Sequence, residues 1–370
     1  MLISKTNKEI FKLFLKLGVI GFGGPAAHIA MMRDEVVSKK QWMNDQQFLD
    51  MVGATSLIPG PNSTEMAIHL GYSKGKWKGL IIAGLCFILP AVFLTLCFAW
   101  LYKKYGALPE VQPFIYGIKP AIIAIILSAI YPLAKKSLKN KALIIIGIIS
   151  LALAFFNINE IIILFGTGIA FYLFNKIKEQ KSNINSFNFL AVPFLTSSLN
   201  TKLFLTFLKI GSILYGSGYV LFAFLDTELV KKGLLPRQTL IDAIAVGQFT
   251  PGPVFSSVTF IGYQINSWSG AFYATIGIFL PSFILVGLLA YFIDKVRKSK
   301  ELSWFLDAVN VASVALIIHI SYVMALQSIT NWKTIIIAII SLYITFNYSK
   351  INSFWIVLFG SFLGYMLHFL

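Results

Sequence analysis

Long apolar stretches with very few charged residues restrict the fold of this chain more than any other feature of its sequence. Twelve such stretches occur in 370 residues, and several, such as 79–102 and 270–293, reach the roughly 20 residues that an α-helix needs to cross a bilayer. Charged residues make up only 12% of the chain, about half the share found in soluble domains. Soluble, coiled-coil and disordered chains are thereby excluded, and we expect an all-α polytopic membrane protein with about 10–12 membrane segments.

The two halves of the chain repeat one another. The matching segments lie 191 to 193 residues apart, and they include 16–23 with 209–216, 59–61 with 251–253, and 89–90 with 280–281. A repeat of this length indicates internal duplication. We therefore divide the chain into a first repeat at 1–175, a polar linker at 176–202, which we place in the cytoplasm, and a second repeat at 203–370.

The distribution of basic residues predicts that the two repeats are inverted. The loop at 74–78 contains three lysines, whereas its counterpart at 264–269 contains no basic residue; residues 103–104, by contrast, correspond to a more basic segment at 295–300. Because basic residues favour the cytoplasmic side, equivalent loops are expected on opposite faces, as in many secondary transporters. Inversion requires an odd number of membrane crossings in each half. Each half has six apolar stretches, so at least one of them must fail to cross, and we predict that the Pro-Gly-Pro stretch is re-entrant. The net charge of +16 is explained by this topology. We therefore expect the chain to contact membrane lipid and not to bind nucleic acid.

Glycine and proline interrupt two apolar stretches in each half near the middle. A broken helix exposes backbone groups that hydrocarbon tolerates only around a protein cavity, and the amino end of a resumed helix attracts an anion. Hydroxyl and amide side chains follow the Pro-Gly-Pro breaks and can donate hydrogen bonds to an oxyanion. Close packing of helices and simple helix capping are the alternative explanations. We predict that the substrate is bound at the breaks by Gly23, Gly24, Pro25, His28, Pro59, Gly60, Pro61, Asn62, Ser63, Gly216, Ser217, Gly218, Pro251, Gly252, Pro253 and Ser256.

Charged residues in the apolar stretches are further candidates. Lys16 and Lys209 occupy equivalent positions, and we predict that they supply positive charge to the bound anion; snorkelling of the two lysines to the interface is the alternative. Glu65 is set deep in apolar sequence, while Glu35 and Glu228 are at equivalent helix ends. We predict that these three glutamates couple transport to an ion gradient, with capping or salt bridges as the alternative for the pair at the ends.

The sequence shows no constellation that is typical of an enzyme. It contains no nucleotide-binding loop, no nucleophile elbow, no paired-carboxylate hydrolase pattern and no metal-spaced set of cysteine and histidine residues. We therefore expect no enzymatic activity, no catalytic residue, no cofactor and no bound metal. Transport would then depend on an ion gradient, because this chain has no ATPase of its own.

These motifs together resemble the chromate ion transporter family in its two-domain, long-chain form. In the first half the resemblance rests on Phe22-Gly23-Gly24-Pro25, His28, Glu35, Trp42, Pro59-Gly60-Pro61, Gly71 and Gly79. In the second half it rests on Gly216-Ser217-Gly218-Tyr219, Glu228, Gly247-Gln248, Pro251-Gly252-Pro253 and Gly262-Tyr263, with Ser217 standing where the family usually has glycine. The resemblance covers both halves. It implies an inner-membrane carrier that expels chromate, and sulfate is the tetrahedral oxyanion most similar to chromate.

We therefore expect a secondary active transporter of the cytoplasmic membrane that exports chromate or a similar oxyanion such as sulfate, driven by an ion gradient. Rocking of one repeat against the other would give alternating access. A cation/proton antiporter that uses Glu65, Asp226 and Asp242 is one alternative, and a membrane subunit without transport activity is another. A homodimer is compatible with the sequence.

Overall fold

The protein consists of helices joined by short turns throughout the part that the computed structural model describes, which is residues 5–368 without 23, 109, 179–197, 216–217, 297–299 and 349–350. The helices of the first half are α1 (Lys5–Ile20), α2 (Gly24–Arg33, continued by a π-helical segment Asp34–Lys39), α3 (Asp45–Thr55), α4 (Ser63–Tyr105), α5 (Gln112–Ser137), α6 (Lys141–Phe155) and α7 (Glu160–Lys178). Those of the second half are α8 (Leu199–Ile213), α9 (Val220–Leu225, continued by a π-helical segment Asp226–Val230), α10 (Arg237–Phe249), α11 (Ser257–Val296, after a 3-10 turn Val254–Ser256), α12 (Lys300–Ser328), α13 (Trp332–Asn347) and α14 (Ser353–His368). No strand occurs among these described residues.

Five of the described helical segments are long and apolar enough to span a membrane. They are Ser63–Tyr105, Gln112–Ser137, Glu160–Ile177, Val254–Leu289 and Glu301–Ser328. The outer surface of the bundle is apolar as well, since Phe93, Ile148 and Trp355 expose 66%, 64% and 60% of their area. Such a surface is costly in water and is satisfied by lipid chains. The predicted class, a polytopic all-α membrane protein, is confirmed.

The two longest helices, α4 and α11, each reverse direction at one sharp turn. Gly75 and Lys76 leave helical geometry in α4, and Asn266 and Ser267 do so at equivalent positions in α11. In a straight helix two residues eight positions apart are separated by about 12 Å, yet a Cβ on Gly71 would overlap the backbone of Gly79. Each long helix is therefore a short arm and a long arm packed side by side. Glycine is needed where the arms touch because no side chain fits between them.

Both broken stretches of the first repeat form helical hairpins. Lys16 pairs with Glu35 at 2.8 Å and the Trp42 indole donates to Glu9 at 3.0 Å, so α2 and its π-helical extension run back along α1. The ammonium group of Lys74 lies 5.0 Å from the centre of the Trp42 ring. The short arm of α4 therefore ends beside the start of α3. The Pro-Gly-Pro stretch that we predicted to be re-entrant thus has the geometry of a hairpin, while its depth in the membrane stays a prediction.

The second repeat has the same hairpins in the opposite orientation. Lys209 pairs with Glu228 at 2.6 Å, as Lys16 does with Glu35 in the first repeat. Lys103, near the far end of the long arm of α4, donates to Ser267 at 3.0 Å. The turn of α11 therefore lies at the end of α4 that is farthest from its own turn. Equivalent turns lie at opposite ends of the bundle, which confirms two inverted repeats.

Each repeat continues from its hairpins into four helical passes: the long arm of α4 with α5 to α7, and the long arm of α11 with α12 to α14. How many of these helices cross the membrane in each half stays a prediction. The end of α7 lies near the start of α12, because Lys176 and Glu301 are 4.0 Å apart. The start of α8 lies at the turn of α11, because Asn266 donates to Asn200 at 2.7 Å. These two places are at opposite ends of the long arm of α11. Most of the predicted linker at 176–202 lies outside the described residues, and its cytoplasmic location stays a prediction.

Candidate functional site

The breaks of the two repeats meet in the interior of the bundle through a reciprocal pair of hydrogen bonds. The backbone N–H of Gly60 donates to the carbonyl oxygen of Leu214 at 2.8 Å, and the N–H of Gly252 donates to the carbonyl oxygen of Gly21 at 2.6 Å. These four positions are equivalent in pairs under the repeat alignment. Each Pro-Gly-Pro loop therefore docks on the broken first helix of the other repeat. Breaks that are far apart in the sequence form one central site.

The Pro-Gly-Pro loops take this form because proline has no backbone N–H and glycine can adopt a positive φ. Gly60 has φ of +137° and Gly252 has φ of +89°. A Cβ on Gly60 would overlap the carboxylate of Glu65, and a Cβ on Gly252 would lie 2.8 Å from the Cβ of Ala91. Since proline has no N–H, the glycine amide is the only backbone donor of each tripeptide. That donor is taken by the opposite repeat, so these glycines shape the site and do not offer an amide to an anion in this state.

Buried polar side chains follow the break of the first repeat at the start of α4. Thr64 and Glu65 are both fully buried. Ser282, from the second repeat, donates to Glu65 Oε1 at 2.5 Å. Thr64 Oγ1 and Glu65 Oε2 have no hydrogen-bond partner among the described residues. Buried polar atoms without a partner are rare in proteins and indicate a place for a ligand or water.

The second break has the same arrangement with one chemical difference. Ser256 and Ser257 are fully buried at positions equivalent to Thr64 and Glu65, and Ser256 accepts a hydrogen bond from Thr95 at 3.3 Å. Ser257 Oγ is again without a partner in the part of the chain that the structure describes. The site therefore has hydroxyl groups from both repeats and a carboxylate from the first repeat only.

The other predicted residues at the breaks are placed as follows. His28 Nε2 donates at 2.8 Å to the Gly21 carbonyl, which also accepts the hydrogen bond from Gly252, so His28 lies at the central site. Gly24 has φ of +79° and begins α2 together with Pro25. Four further predicted residues surround the Pro-Gly-Pro glycines and are buried, namely Pro59, Pro61, Pro251 and Pro253. Ser63 is also buried and donates weakly to the Pro61 carbonyl at 3.4 Å, while Gly218 lies beside Val254. Gly23, Gly216 and Ser217 lie outside the described residues.

A vestibule of about 450 Å³, lined by both polar and apolar residues, connects the first break to one end of the bundle. It is bounded by α3, the first Pro-Gly-Pro loop, the end of α5 and the start of α12. Gly60 and Asn62 form its inner end. Lys136, Asn310 and an ion pair between Lys139 and Asp307, 2.7 Å apart, line its walls. Asp307 offsets the charge of Lys139, and Lys136 leaves these walls with a net positive charge, which favours an anion over a cation.

The two predicted lysines form ion pairs with the two glutamates at equivalent helix ends. Lys16 binds Glu35 and Lys209 binds Glu228, and the lysine side chains are 51% and 42% exposed. Both glutamates lie outside the five candidate spans. The hydrogen bond from Lys16 lowers the pKa of Glu35; burial alone would raise the pKa of Glu228, but Lys209 and Lys232 outweigh it and lower the pKa. These contacts hold α1 to the π-helical extension of α2, and α8 to that of α9, which matches the salt-bridge alternative for the glutamates.

The carboxylates of the antiporter alternative do not come together. Asp226 forms a two-point ion pair with Arg237, at 2.6 and 3.1 Å. Asp242 accepts a hydrogen bond from Tyr102 at 2.7 Å, and Glu65 binds Ser282. Among the described residues, no group of three or more histidine, cysteine or acidic residues is arranged to hold a metal ion.

Sequence reasoning missed three residues that the structure places in contact with predicted ones. Ser282 and Thr95 reach the two breaks from helices of the opposite repeat, and a lone serine or threonine in an apolar stretch is too common to single out. Lys119 lies 3.5 Å from Asp242. It could have been found from the sequence, because a single lysine within the apolar stretch 114–134 is expensive in a membrane.

Comparisons with known proteins agree with the repeat structure. The sequence profile described as "Chromate transporter" matches the chain twice, at residues 8–172 and 201–365. The chain is 32% identical to a probable chromate transport protein of Synechococcus elongatus over 349 residues, which cover 90% of this chain and 88% of that protein. It is 30% identical to a chromate transport protein of Cupriavidus metallidurans, with 97% and 92% covered, and 27% identical to an uncharacterized transporter of Methanocaldococcus jannaschii, with 99% and 98% covered. No solved structure matches the chain.

Proposed function

The chain belongs to the chromate transporter family, and we propose that it is a secondary active transporter that exports chromate or a similar tetrahedral oxyanion such as sulfate, driven by an ion gradient. It is a multi-pass protein of the cell membrane, and its family indicates a transporter rather than an enzyme. The direction of transport, the preference among oxyanions and the driving force belong to the proposal.

One observation carries the proposal most directly. The two Pro-Gly-Pro breaks dock on each other's repeat. Beside them, Thr64 and Ser257 place buried hydroxyl groups that have no hydrogen-bond partner among the described residues. Hydroxyl donors at the amino ends of resumed helices suit an anion that is bound without a full positive charge. The anion would reach the first break through the vestibule between α3 and α12. Moderate affinity is expected from such a site, which allows release on the other side.

Glu65 is proposed to couple anion binding to protonation. Its carboxylate lies against Gly60 at the break and is held by Ser282 at 2.5 Å. A dianion at the same break would repel an ionised carboxylate, so binding of the anion and protonation of Glu65 favour each other. Outward movement of an anion from a negatively charged cell interior gains about 2.3 kcal/mol per charge for each 100 mV. The membrane potential would therefore drive export, and a proton on Glu65 would reduce the moved charge by one.

Flux into sealed vesicles tests the proposal. Purified protein in proteoliposomes is given radiolabelled chromate or sulfate, with and without a membrane potential and a pH gradient. We expect saturable uptake that responds to the potential. A wild-type protein that moves neither anion under any gradient would refute the oxyanion proposal, and cation flux in the same vesicles would support the antiporter alternative.

Two variants localise the site. Thr64→Val and Ser257→Ala each remove a buried hydroxyl group, and a hydrogen bond to a charged group contributes about 1.5–3 kcal/mol, which corresponds to roughly tenfold to hundredfold weaker binding. Ser212→Ala is the matched control, because Ser212 is exposed on α8 and donates only to the Leu208 carbonyl of its own helix at 2.7 Å. If both variants bind as tightly as the control, the site lies elsewhere.

Glu65→Gln tests the coupling separately. Wild-type affinity for the anion is expected to rise as pH falls, because protonation of Glu65 removes the like charge beside the anion. The glutamine variant is neutral at every pH, so its affinity should be independent of pH. An unchanged pH dependence in Glu65→Gln would assign the coupling to another group.

A further inference from the structure

A buried charged cluster lies on the opposite side of the central site from the vestibule. Tyr102 at the end of α4 donates to Asp242 Oδ2 on α10 at 2.7 Å, and the ammonium group of Lys119 on α5 lies 3.5 Å from Asp242 Oδ1. The side chains of Lys119 and Asp242 are only 14% and 5% exposed. Burying an ion pair is costly and brings little net stability. Ionisable groups at such a place in a membrane protein therefore call for a functional explanation.

The repeat alignment maps this cluster onto the vestibule. Asp242 is equivalent to Asp50 on α3, and Lys119 is equivalent to Asn310 on α12. The second correspondence continues the offset of 191 residues that relates Pro90 to Pro281, and Ala121 and Ala124 match Ala312 and Ala315 at the same offset. Asn310 lines the open vestibule. The cluster therefore occupies the place where inversion symmetry would put a second vestibule.

The second vestibule is closed in this structure. Only a small apolar cavity of about 190 Å³ remains there, lined by Tyr102, Asp242 and Ala245 among others, and no residue of the second Pro-Gly-Pro loop is in its lining. The first vestibule is more than twice as large and reaches Gly60 and Asn62 of the first loop. The central site is therefore open to one end of the bundle through the first vestibule, and it is closed toward the other end.

We propose that Lys119, Asp242 and Tyr102 form the closed gate of the transport path, and that Lys119 becomes the first cation to meet the anion when this gate opens. The inference rests on the proposed function, in which the repeats rock between two states. Opening the second vestibule requires α10 to separate both from α5 and from the end of α4, which breaks the contacts of Asp242 with Lys119 and with Tyr102. Lys119 then lines the new vestibule as Asn310 lines the present one. Asn310 is neutral and cannot form the ion pair that Lys119 forms at the equivalent place with Asp242. The gate therefore holds the protein in the state seen here.

Cysteine accessibility tests the gate without depending on transport. Gly53 lines the open vestibule, and its equivalent Ala245 lines the closed one. Gly53→Cys and Ala245→Cys are introduced singly into a Cys97→Ser background and treated with a membrane-impermeant maleimide applied to both faces. The native Cys86 is buried and remains as a reporter of folding. In this background Gly53→Cys is expected to react and Ala245→Cys to remain unreacted.

Removing the gate should reverse these reactivities. With Asp242→Asn, we expect Ala245→Cys to react at least tenfold faster and Gly53→Cys to react more slowly, while Cys86 stays protected. Tyr102→Phe should shift both rates in the same direction by a smaller factor. Asp45→Asn is the matched control, because it breaks an exposed ion pair with Arg33 at 2.6 Å and should leave both rates unchanged.

The outcomes of this experiment distinguish failure of the gate proposal from failure of the proposed function. If Ala245→Cys stays unreactive in both Asp242→Asn and Tyr102→Phe while Cys86 is protected, the gate is refuted. Labelling of Cys86 in Asp242→Asn would mean that this variant is misfolded, and Tyr102→Phe then decides the question. A wild-type protein that carries neither chromate nor sulfate, but whose labelling reverses as described, would refute the oxyanion proposal and leave the gate in place.

Discussion

The variant Gly252→Ala tests whether docking between the repeats builds the site. Gly252 has φ of +89°, a conformation that costs a residue with a side chain about 1–2 kcal/mol. An added Cβ would lie 2.8 Å from the Cβ of Ala91, which is too close for two carbon atoms. One of them must move by about 0.6 Å, and overpacking of a tight site typically costs about 1–3 kcal/mol.

The same movement weakens the hydrogen bond from Gly252 to the Gly21 carbonyl, now 2.6 Å long. A hydrogen bond of this kind contributes about 0.5–1.5 kcal/mol. Strain, crowding and the weakened hydrogen bond together are expected to destabilise the folded protein by about 2.5–6.5 kcal/mol. We therefore expect oxyanion uptake in proteoliposomes to fall at least tenfold.

Gly233→Ala is the control for backbone strain alone. Gly233 has φ of +72°, but nothing lies near the position of its Cβ. We expect this variant to lose only about 1–2 kcal/mol of stability and to transport as the wild type does. Thermal unfolding in detergent, followed through the reactivity of Cys86 in a Cys97→Ser background, compares the variants. If Gly252→Ala is no less stable than Gly233→Ala and transports at the wild-type rate, docking of the Pro-Gly-Pro loop is not what builds the site.

Three further predictions follow from other contacts. Gly71→Ala should force the two arms of α4 apart, because its Cβ would meet the backbone of Gly79; limited proteolysis at the α4 turn is expected to become several-fold faster. Glu228→Gln should flatten the acid dependence of the melting temperature, because a pKa lowered from 4.5 contributes stability that is present above about pH 4.5 and is lost as pH falls below it; an equally steep decline in the variant would contradict the ion-pair assignment. Thr95→Val removes the hydrogen bond to Ser256 and should change the affinity for the oxyanion by a few fold in an equilibrium binding assay, whereas an effect on stability alone would make the contact purely structural.

Much of the architecture could be predicted from local sequence. Apolar stretches of about 20 residues can only be helices in a membrane, because every backbone group must find a partner within the chain. The two Pro-Gly-Pro tripeptides predicted the two breaks that they form, because proline and glycine interrupt a helix at their own position in the chain. The lysines in the loops indicated inversion without reference to any tertiary contact. Each of these signals needs only residues close together in the chain.

The roles of single charged residues were harder to predict. Lys16 was predicted to bind the anion, and in the structure it pairs with Glu35 because α2 reverses direction; its part in anion binding stays a prediction. Asp242 was considered for cation binding without its partner Lys119, which lies on another helix. Whether a lysine pairs with a carboxylate or with a substrate depends on which helices are neighbours. That information is absent from the neighbourhood of either residue in the sequence.

Hydrophobicity, glycine and proline in the sequence therefore determined that this chain is a duplicated bundle of membrane helices with four interruptions. Only the tertiary structure decided that Gly60 meets Leu214 and that Gly252 meets Gly21. It alone also showed an open path on the side of Asn310 and a closed one on the side of Lys119. The reason is physical: a backbone break depends on the residue at that position, whereas a hydrogen bond between repeats depends on how two distant segments pack.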